Sequence, residues 1–206
     1  MWDERYARED YLFGTEPAEF LSRSRDLLRP DLEALAVADG EGRNSIFLAE
    51  QGVRTTAFDP SAVAVRKARA LAEARRVTVD FHIADMEGWV WEADSYDLVV
   101  GIFIQVLGAE ARARIFGAMK RTLRPGGRLL LHGYTPKQLE YRTGGPPVLE
   151  NLYTEELLRD AFADFEIERL ESYDAEIKEG TAHVGRSALI DLVARKPSGP
   201  SAHPSP

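Results

Sequence analysis

Three successive apolar segments of the chain are each followed by a turn that carries glycine or a carboxylate. Gly40-Glu41-Gly42 follows the first of these segments, Asp59 follows the second, and Asp85 follows the third. Glycine lets backbone approach a ligand closely. A carboxylate about 20 residues beyond such a turn is where the ribose hydroxyls of an adenosine-containing ligand are bound. The spacing predicts a nucleoside pocket, with Asp59 at the ribose and Asp85 near the adenine amino group.

Each feature alone has a simpler explanation, because Gly-x-Gly also marks a tight turn and aspartate often caps a helix. Two related nucleotide sites fit poorly. A dinucleotide-binding turn needs a third glycine where Ser45 stands, so a nicotinamide-dependent reductase is disfavoured. A phosphate-binding loop would require Gly-x-x-x-x-Gly-Lys followed by Ser or Thr, and the chain contains no such sequence.

The elements that position these turns alternate between short apolar strands and segments of helical period. This alternation is typical of strand-helix-strand units around a parallel sheet. The predicted strands are 35–38, 53–58, 77–83, 96–104 and 128–134, and the predicted helices are 43–51, 61–75, 110–123 and 154–163, the last with Thr154 as N-cap. The glycines and proline of 124–127 predict a break before the fifth strand.

Two longer alternating segments, 164–175 and 184–195, predict an antiparallel hairpin at the sheet edge. The expected fold is therefore a single-domain, Rossmann-like α/β domain with helices on both faces. Its sheet has seven strands, mostly parallel, and ends in this C-terminal hairpin. We expect the domain to span residues 1–195 and the Pro- and Ser-rich residues 196–206 to form a disordered tail.

Composition excludes several classes of protein. The chain has 206 residues, a net charge of −8 and no cysteine. The charge argues against nucleic acid as a partner, because such binding needs a basic face. Without cysteine there is no disulfide or cysteine–zinc framework. The charged N-terminus and the lack of a long apolar stretch predict a cytoplasmic protein without a membrane partner.

Several segments together carry a resemblance to a known family. They are WDERY at 2–6, GTEP at 14–17, ADGEGRNSIFLA at 38–49, FDPS at 58–61, IADM at 83–86, YDLVVGIF at 96–103, LRPGGRLLL at 123–131, GGPP at 144–147, and Glu179-Gly180 with His183 and Gly185. In this order they resemble the class I S-adenosylmethionine-dependent methyltransferases. More narrowly, the chain is similar to the small bacterial branch of tellurite-resistance and thiopurine methyltransferases.

The resemblance implies S-adenosylmethionine as cofactor and a role for each matching position. Gly40 and Gly42 would line the methionine part of the cofactor, and Asp59 would hold its ribose. Asp85 and Met86 would hold the adenine. Gly101 to Phe103 would lie beneath the sulfonium. The implied cofactor-binding set is Asp39, Gly40, Gly42, Arg43, Asn44, Asp59, Pro60, Asp85, Met86, Gly101 and Phe103. Two positions depart from the family pattern, since alanine stands at 36 and 38 where an acid and a glycine are usual. We expect Asp39 to replace that acid at the cofactor's ammonium.

Methyl transfer to a soft nucleophile requires little acid–base chemistry, whereas an oxygen or nitrogen acceptor requires a positioned base. The candidate catalytic residues are His132, His183 and Tyr6; His82 and His203 are set aside because of their positions in a strand and in the tail. A metal site is not expected, because one histidine and one carboxylate provide too few ligands.

Residues 1–30 are expected to form a helical lid by resemblance, with Trp2, Tyr6 and Phe13 over the site. Tyr134 and Tyr141 are expected to line an apolar acceptor pocket. The predicted function is methyl transfer to a small-molecule acceptor, preferably a thiol, selenium or tellurium species, by a monomer or homodimer. The alternatives are an oxygen or nitrogen acceptor, and a non-catalytic protein that binds S-adenosylmethionine.

Overall fold

A seven-stranded sheet organises the protein, in a computed structural model that describes residues 2–199. The strands are β1 (Glu33–Val37), β2 (Arg54–Asp59), β3 (Asp80–Ile83), β4 (Tyr96–Ile102), β5 (Leu123–Tyr134), β6 (Glu166–Glu179) and β7 (His183–Arg195). Their order across the sheet is β3-β2-β1-β4-β5-β7-β6. Strands β1 to β5 pair in parallel, and β7 pairs antiparallel with both β5 and β6. The predicted fold class and the edge hairpin are confirmed.

Seven α-helices connect or flank these strands. They are α1 (Trp2–Tyr6), α2 (Glu19–Arg23), α3 (Arg43–Glu50), α4 (Ala62–Arg75), α5 (Ala109–Thr122), α6 (Gln138–Tyr141) and α7 (Glu155–Ala161). Helices α2, α3 and α4 pack on one face of the sheet, and α5 and α7 pack on the other. Thr154 caps α7 as predicted, since its side chain accepts a hydrogen bond from the Leu157 N–H. In the described part of the chain, no helix is long and apolar enough to cross a membrane.

Some predicted boundaries are wrong. Strand β5 begins directly after α5, so 124–127 lie within a strand; an irregularity in the β4–β5 register accommodates them. Strand β3 begins at Asp80 instead of residue 77, because the Val77 N–H bonds the Ala72 carbonyl and so closes helix α4. The Lys196 N–H, at the first residue of the predicted tail, donates to the Gly127 carbonyl at 2.8 Å. Residues 200–206 of that tail lie outside the described residues.

The parallel strands place their carboxyl ends at one edge of the sheet. Ala38, Asp59, Ala84 and Phe103 stand at the ends of β1, β2, β3 and β4 respectively, and the register pairs Val37 with both Phe58 and Gly101. Ligands bind at this edge in open α/β sheets. The turns singled out in the sequence therefore meet at one place.

Candidate active site

A cavity of about 250 Å³ lies at this edge. Its wall includes eleven of the predicted site residues: Tyr6, Asp39, Gly40, Arg43, Asn44, Asp59, Pro60, Asp85, Met86, Phe103 and His183. Apolar residues at and beyond the end of β4 also line it: Ile102, which falls within the range expected beneath the sulfonium, and Ile104, Val106 and Leu107, which were not expected there. The sequence signal for these three is that they stand at or just after the end of the predicted fourth strand.

Asp59 is fixed by the backbone of two turns. One carboxylate oxygen accepts the Gly40 N–H at 2.9 Å, and the other accepts the Ser61 N–H at 2.9 Å. Burial raises the pKa of Asp59 above its usual value, while these two hydrogen bonds act in the opposite direction. Each oxygen retains lone-pair capacity for a further donor. Asp59 is therefore preorganised to accept hydroxyl groups in the cavity.

Asp39 lies next to Asp59 on the cavity wall. Its carboxylate accepts bonds from the Ser45 N–H at 3.2 Å and the Ser45 hydroxyl at 2.5 Å. Burial raises the pKa of Asp39 to about 7, and the nearby charge of Asp59 adds to the increase. A cation in the cavity would favour the ionised form of this carboxyl.

The third carboxylate, Asp85, stands at the exposed mouth of the cavity. Its Oδ1 accepts the Gly88 N–H at 2.6 Å, which fixes the turn after β3. The next residue, Met86, is buried and its carbonyl accepts the indole N–H of Trp91 at 2.9 Å. This end of the cavity combines an accessible carboxylate with an apolar side chain.

The glycines have different functions in the structure. Gly40 has a φ of +63°, and a Cβ there would lie 3.0 Å from the Tyr6 hydroxyl. Gly42 and Gly101 were expected to line the cofactor, but neither is part of the cavity wall. A Cβ at Gly42 would lie 2.7 Å from the Cβ of Ala68, and one at Gly101 would lie 2.9 Å from Ile104. These two glycines permit close packing of α4 and of the core.

His183 lies at the opposite end of the cavity. Its ring is 4.5 Å, centroid to centroid, from both Phe13 and Phe103. Burial lowers the pKa of His183, and the positive charge of Arg43 lowers it further, against the effect of Glu179. The imidazole is therefore neutral at pH 7.

Glu179 stands between His183 and Arg43. Its Oε2 is 2.8 Å from Arg43 Nη2 and 3.7 Å from His183 Nδ1. Burial favours the neutral carboxyl, but the two neighbouring groups outweigh that effect and bring the pKa of Glu179 down to about 2. The Arg43–Glu179 pair is thus a buried ion pair that joins α3 to the tip of the β6–β7 hairpin. The sequence analysis quoted Glu179 only as part of a motif.

Tyr6 closes the cavity from the N-terminal side. Trp2 stacks on its ring at 5.7 Å and Phe13 contacts it edge-on at 6.2 Å. Burial raises the pKa of the Tyr6 hydroxyl far above its usual value of 10. The hydroxyl therefore stays protonated, so that it can donate a hydrogen bond but is unsuited to act as a base.

Two long-range contacts hold this N-terminal segment in place. The Leu12 N–H donates to Glu41 at 2.7 Å, and the Leu12 carbonyl accepts the N–H groups of Thr181 and Ala182 at 3.0 and 3.2 Å. Glu41 in turn pairs with Lys67 of α4. Neither Glu41 nor Lys67 was singled out from the sequence, because their partners are distant along the chain.

Three residues predicted to face the site lie elsewhere. His132 is buried behind Phe103, with its Nδ1 2.6 Å from Asp191, and does not reach the cavity. Tyr134 is buried against Phe103 at 4.7 Å, and it also lies behind the cavity wall. Tyr141 lies on α6 and its hydroxyl bonds Asp174 at 2.7 Å. Over residues 2–199, no cluster of three or more His, Asp and Glu side chains could hold a metal.

Comparison with known proteins gives a family match for part of the chain. Residues 34–127 match a family described as a methyltransferase domain. A curated relative, the ubiquinone biosynthesis O-methyltransferase of Methylocella silvestris, is 34% identical over 114 residues, which are 53% of this chain and 43% of that protein. The chain thus spans less than half the length of this relative.

Solved structures share the fold across nearly the whole chain. One reported for the conversion of a disulfide bond into a thioacetal group during echinomycin biosynthesis has a TM-score of 0.76 and 18% identity, and the match covers 98% of this chain and 93% of that one. TehB from Haemophilus influenzae has a TM-score of 0.71 and 17% identity, and the match covers 95% of this chain and 65% of TehB. A methyltransferase from Methanosarcina mazei has a TM-score of 0.72 and 20% identity, covering 89% and 99%.

These findings confirm the resemblance seen in the sequence and support S-adenosylmethionine as the cofactor. Residues 34–127, less than half of the chain, match the methyltransferase domain family, and the fold is that of the class I S-adenosylmethionine-dependent methyltransferases.

Proposed function

We propose that this protein transfers the methyl group of S-adenosylmethionine to a small-molecule acceptor. The observation that carries the proposal is the single cavity that joins the Asp39, Asp59 and Asp85 carboxylates to the aromatic wall around His183. Asp59 accepts the ribose hydroxyls, Asp85 and Met86 hold the adenine, and Asp39 meets the ammonium group. Gly40, without a Cβ, leaves room for the amino-acid part beneath Tyr6.

When bound, S-adenosylmethionine supplies a methyl group on a positively charged sulfur, which leaves as a neutral thioether. The chain's own contribution is to orient the reactants and exclude water. Phe103, Phe13 and Tyr6 form the apolar surface at the acceptor end, and the N-terminal segment covers it. No residue has to form a covalent bond with the methyl group.

A soft nucleophile such as a thiol is the first candidate acceptor. A thiolate attacks without a base, and the acceptor end of the cavity is mainly aromatic. The separation of 3.7 Å between His183 Nδ1 and Glu179 is longer than a hydrogen bond, so the two groups do not form an aligned dyad. These features support a role for His183 in packing against the acceptor.

An oxygen acceptor is the second candidate, and a specific feature favours it. His183 is neutral, lines the cavity and stands beside the ionised Glu179, which a shift of less than 1 Å would bring into hydrogen-bond range. Such an arrangement can accept a proton from a phenol. The curated relative from Methylocella silvestris is an O-methyltransferase by name.

The test combines binding and turnover. Calorimetry should show that S-adenosylmethionine binds, and release of S-adenosylhomocysteine should follow the addition of 4-nitrothiophenol but not of 4-nitrophenol. Faster release with the phenol would favour the oxygen acceptor. Binding without release, across a broad panel of thiols, phenols and amines, would identify a non-catalytic protein that binds the cofactor. No binding would contradict the proposal.

We also propose that nucleic acid is not the acceptor. The net charge is −8, and Arg43 is the one basic residue in the described cavity wall. Binding to nucleic acid depends on neutralising several phosphates. Filter binding with tRNA and duplex DNA at physiological salt should show no retention; micromolar affinity with a steep salt dependence would contradict this proposal.

A further inference from the structure

A buried polar network lies directly behind the acceptor end of the cavity. His132 on β5 and Asp191 on β7 are cross-strand partners, and His132 Nδ1 lies 2.6 Å from Asp191 Oδ1. Asp191 is fully buried, and the other oxygen of its carboxylate is 2.8 Å from Arg23 of α2. The Tyr173 hydroxyl of β6 donates to Asp191 at 3.2 Å. A buried carboxylate needs such partners, and here they join α2, β5, β6 and β7.

The ring of His132 is held between two aromatic rings. Phe20 of α2 stacks on it with a centroid distance of 5.3 Å and an interplanar angle of 10°. Phe103 contacts it edge-on at 4.7 Å and 72°. The bond to Asp191 prevents the imidazole from rotating about its side-chain bonds. The orientation of His132 therefore limits the positions open to Phe103.

Phe103 needs such support because its backbone is strained. Its φ is +56°, in the left-handed region that non-glycine residues rarely adopt. Such a conformation persists only where the surrounding structure fixes it. The Phe103 N–H donates to the His132 carbonyl at 2.9 Å, so His132 contacts both the backbone and the ring of Phe103. On its other side the Phe103 ring lies 4.5 Å from His183.

We propose that His132 and Asp191 are positioning residues that fix Phe103 in the wall of the acceptor end, and that His132 is not a base in the reaction. This inference rests on the proposed function, because Phe103 matters to turnover only if an acceptor is methylated beside it. Misplacement of a reacting group by about 1 Å can cost about 100-fold in rate. A residue behind the wall can therefore control turnover without touching the acceptor.

The variant His132→Asn separates positioning from simple packing. Asparagine can still donate from the place of Nδ1 to Asp191, but it lacks the ring that contacts Phe103. Asp191→Asn removes the charge and keeps the shape. A matched control is Thr122→Val, which removes the hydrogen bond from the fully buried Thr122 to the Glu92 carbonyl at the far end of the sheet. We expect all three to fold and to bind S-adenosylhomocysteine within about twofold of wild type.

The first readout does not depend on turnover. Protein labelled with 4-fluorophenylalanine gives one fluorine resonance per phenylalanine, and the Phe103→Leu variant identifies that of Phe103. We expect this resonance to shift or broaden in His132→Asn and Asp191→Asn, and to stay unchanged in Thr122→Val. An unchanged resonance in a folded His132→Asn variant would overturn the inference, even if methyl transfer is observed. If no acceptor is methylated, the proposed function fails while this result still decides how Phe103 is held.

The second readout is a double-mutant cycle in the acceptor assay. We expect His132→Asn to lower kcat about tenfold or more in the wild-type background and less than about twofold in a Phe103→Ala background. The pH profile of kcat should keep its shape in His132→Asn. An equal loss in both backgrounds, or a pH dependence that disappears with His132, would overturn the inference and show that His132 acts directly.

Discussion

The two ends of the cavity are built in different ways. At the cofactor end, each carboxylate is fixed by backbone close to it in sequence: Asp85 by Gly88, Asp39 by Ser45, and Asp59 by Ser61. Asp59 also accepts the N–H of Gly40, which lies 19 positions away on the neighbouring strand end. At the acceptor end, the contacts join residues far apart in the chain. Glu179 pairs with Arg43 across 136 positions, and Thr181 contacts Leu12 across 169.

The difference shows which end is preorganised by local structure and which depends on the whole fold. Turns at strand ends form wherever the sheet forms, so the cofactor end needs only β1 to β3. The acceptor end exists only when the N-terminal segment and the tip of the hairpin meet. Substitutions at the two ends should consequently differ in effect, with binding affected at one end and stability and turnover at the other.

The largest expected effect is on stability, at the acceptor end. Glu179→Ala leaves the buried guanidinium of Arg43 without its counterion, which costs about 3 kcal/mol of unfolding free energy. Because the pKa of Glu179 falls from its usual 4.5 to about 2 in the folded state, its contribution is present above pH 4.5 and is lost as pH falls toward 2. Denaturant unfolding between pH 2 and 7 measures both the loss of stability in Glu179→Ala and its dependence on pH.

The matched control is Glu110→Ala, which removes an exposed partner of Arg114 on α5. Its unfolding free energy should equal that of wild type within error. If Glu179→Ala also leaves the unfolding free energy unchanged, the contacts of the hairpin tip do not stabilise the acceptor end.

The next effect is on binding, at the cofactor end. Asp59→Ala removes a carboxylate that is expected to accept two ribose hydroxyls, and should weaken S-adenosylmethionine binding by about 1.5–3 kcal/mol, more than tenfold. Calorimetry measures this affinity. Asp80→Ala, an exposed carboxylate at the start of β3, is the control and should bind normally. Unchanged affinity in a folded Asp59→Ala protein would remove Asp59 from the site.

At the cofactor end, the affinity for S-adenosylmethionine should also depend on pH, through Asp39. With its pKa raised to about 7 by burial, Asp39 is expected to be mostly neutral at pH 6 and mostly ionised at pH 8. If the ionised form meets the ammonium group, affinity should rise about tenfold from pH 6 to pH 8, with proton release on binding. Asp39→Asn should bind more weakly at pH 8 and lose this dependence. Calorimetry in buffers of different ionisation enthalpy would detect the proton release. If affinity depends on pH as steeply in Asp39→Asn as in wild type, Asp39 is not the source of the dependence.

The raised pKa of Asp39 should lower the stability of the folded protein as pH rises, although it strengthens cofactor binding over the same range. A carboxyl whose pKa is raised on folding destabilises the folded state as pH rises from 3.8 through 7. The Tm of Asp39→Asn should therefore exceed that of wild type at pH 8 and approach it at pH 5. A gap that does not change with pH would show that the substitution acts through packing alone.

A smaller effect is expected at His183, where the acceptor class decides the result. For a soft acceptor, His183→Ala should lower kcat less than tenfold, under about 1.4 kcal/mol, with a pH profile set by the acceptor. His82→Ala, outside the described cavity wall, is the control. A loss of 100-fold or more, with disappearance of an enzymic pKa below the usual value of histidine, would instead indicate an oxygen or nitrogen acceptor.

The smallest effect concerns the turn between β1 and the cofactor loop. Ala38 has a φ of +47°, the left-handed region in which alanine is strained. Ala38→Gly should relieve that strain and, after the entropic cost of glycine, stabilise the protein by about 0.5–1 kcal/mol. Ala34→Gly in the middle of β1 should destabilise it. A loss of stability in Ala38→Gly would show that the surrounding fold removes the strain.

Much of the cofactor end could be predicted from the sequence, because its signals are local. Asp59 and Asp85 were placed correctly at strand ends from apolar runs and turns alone. The glycines were harder: Gly42 and Gly101 belong to the same motifs as Gly40, yet their Cβ positions face Ala68 and Ile104. At Gly42 a φ of +92° also favours glycine, whereas at Gly101 the close packing alone accounts for it.

The sequence alone determined the order of strands and helices, the carboxylates at the strand ends and the family, since each depends on residues that are neighbours in the chain. Tertiary structure decided that His132 bonds Asp191 behind Phe103 while His183, 51 positions later, reaches the cavity. Both histidines were candidate site residues from the sequence, His132 at the end of the predicted fifth strand and His183 just before the predicted last one. The register of β5 against β7 separates them, because it places a buried carboxylate opposite His132, and that pairing is fixed only when the sheet assembles.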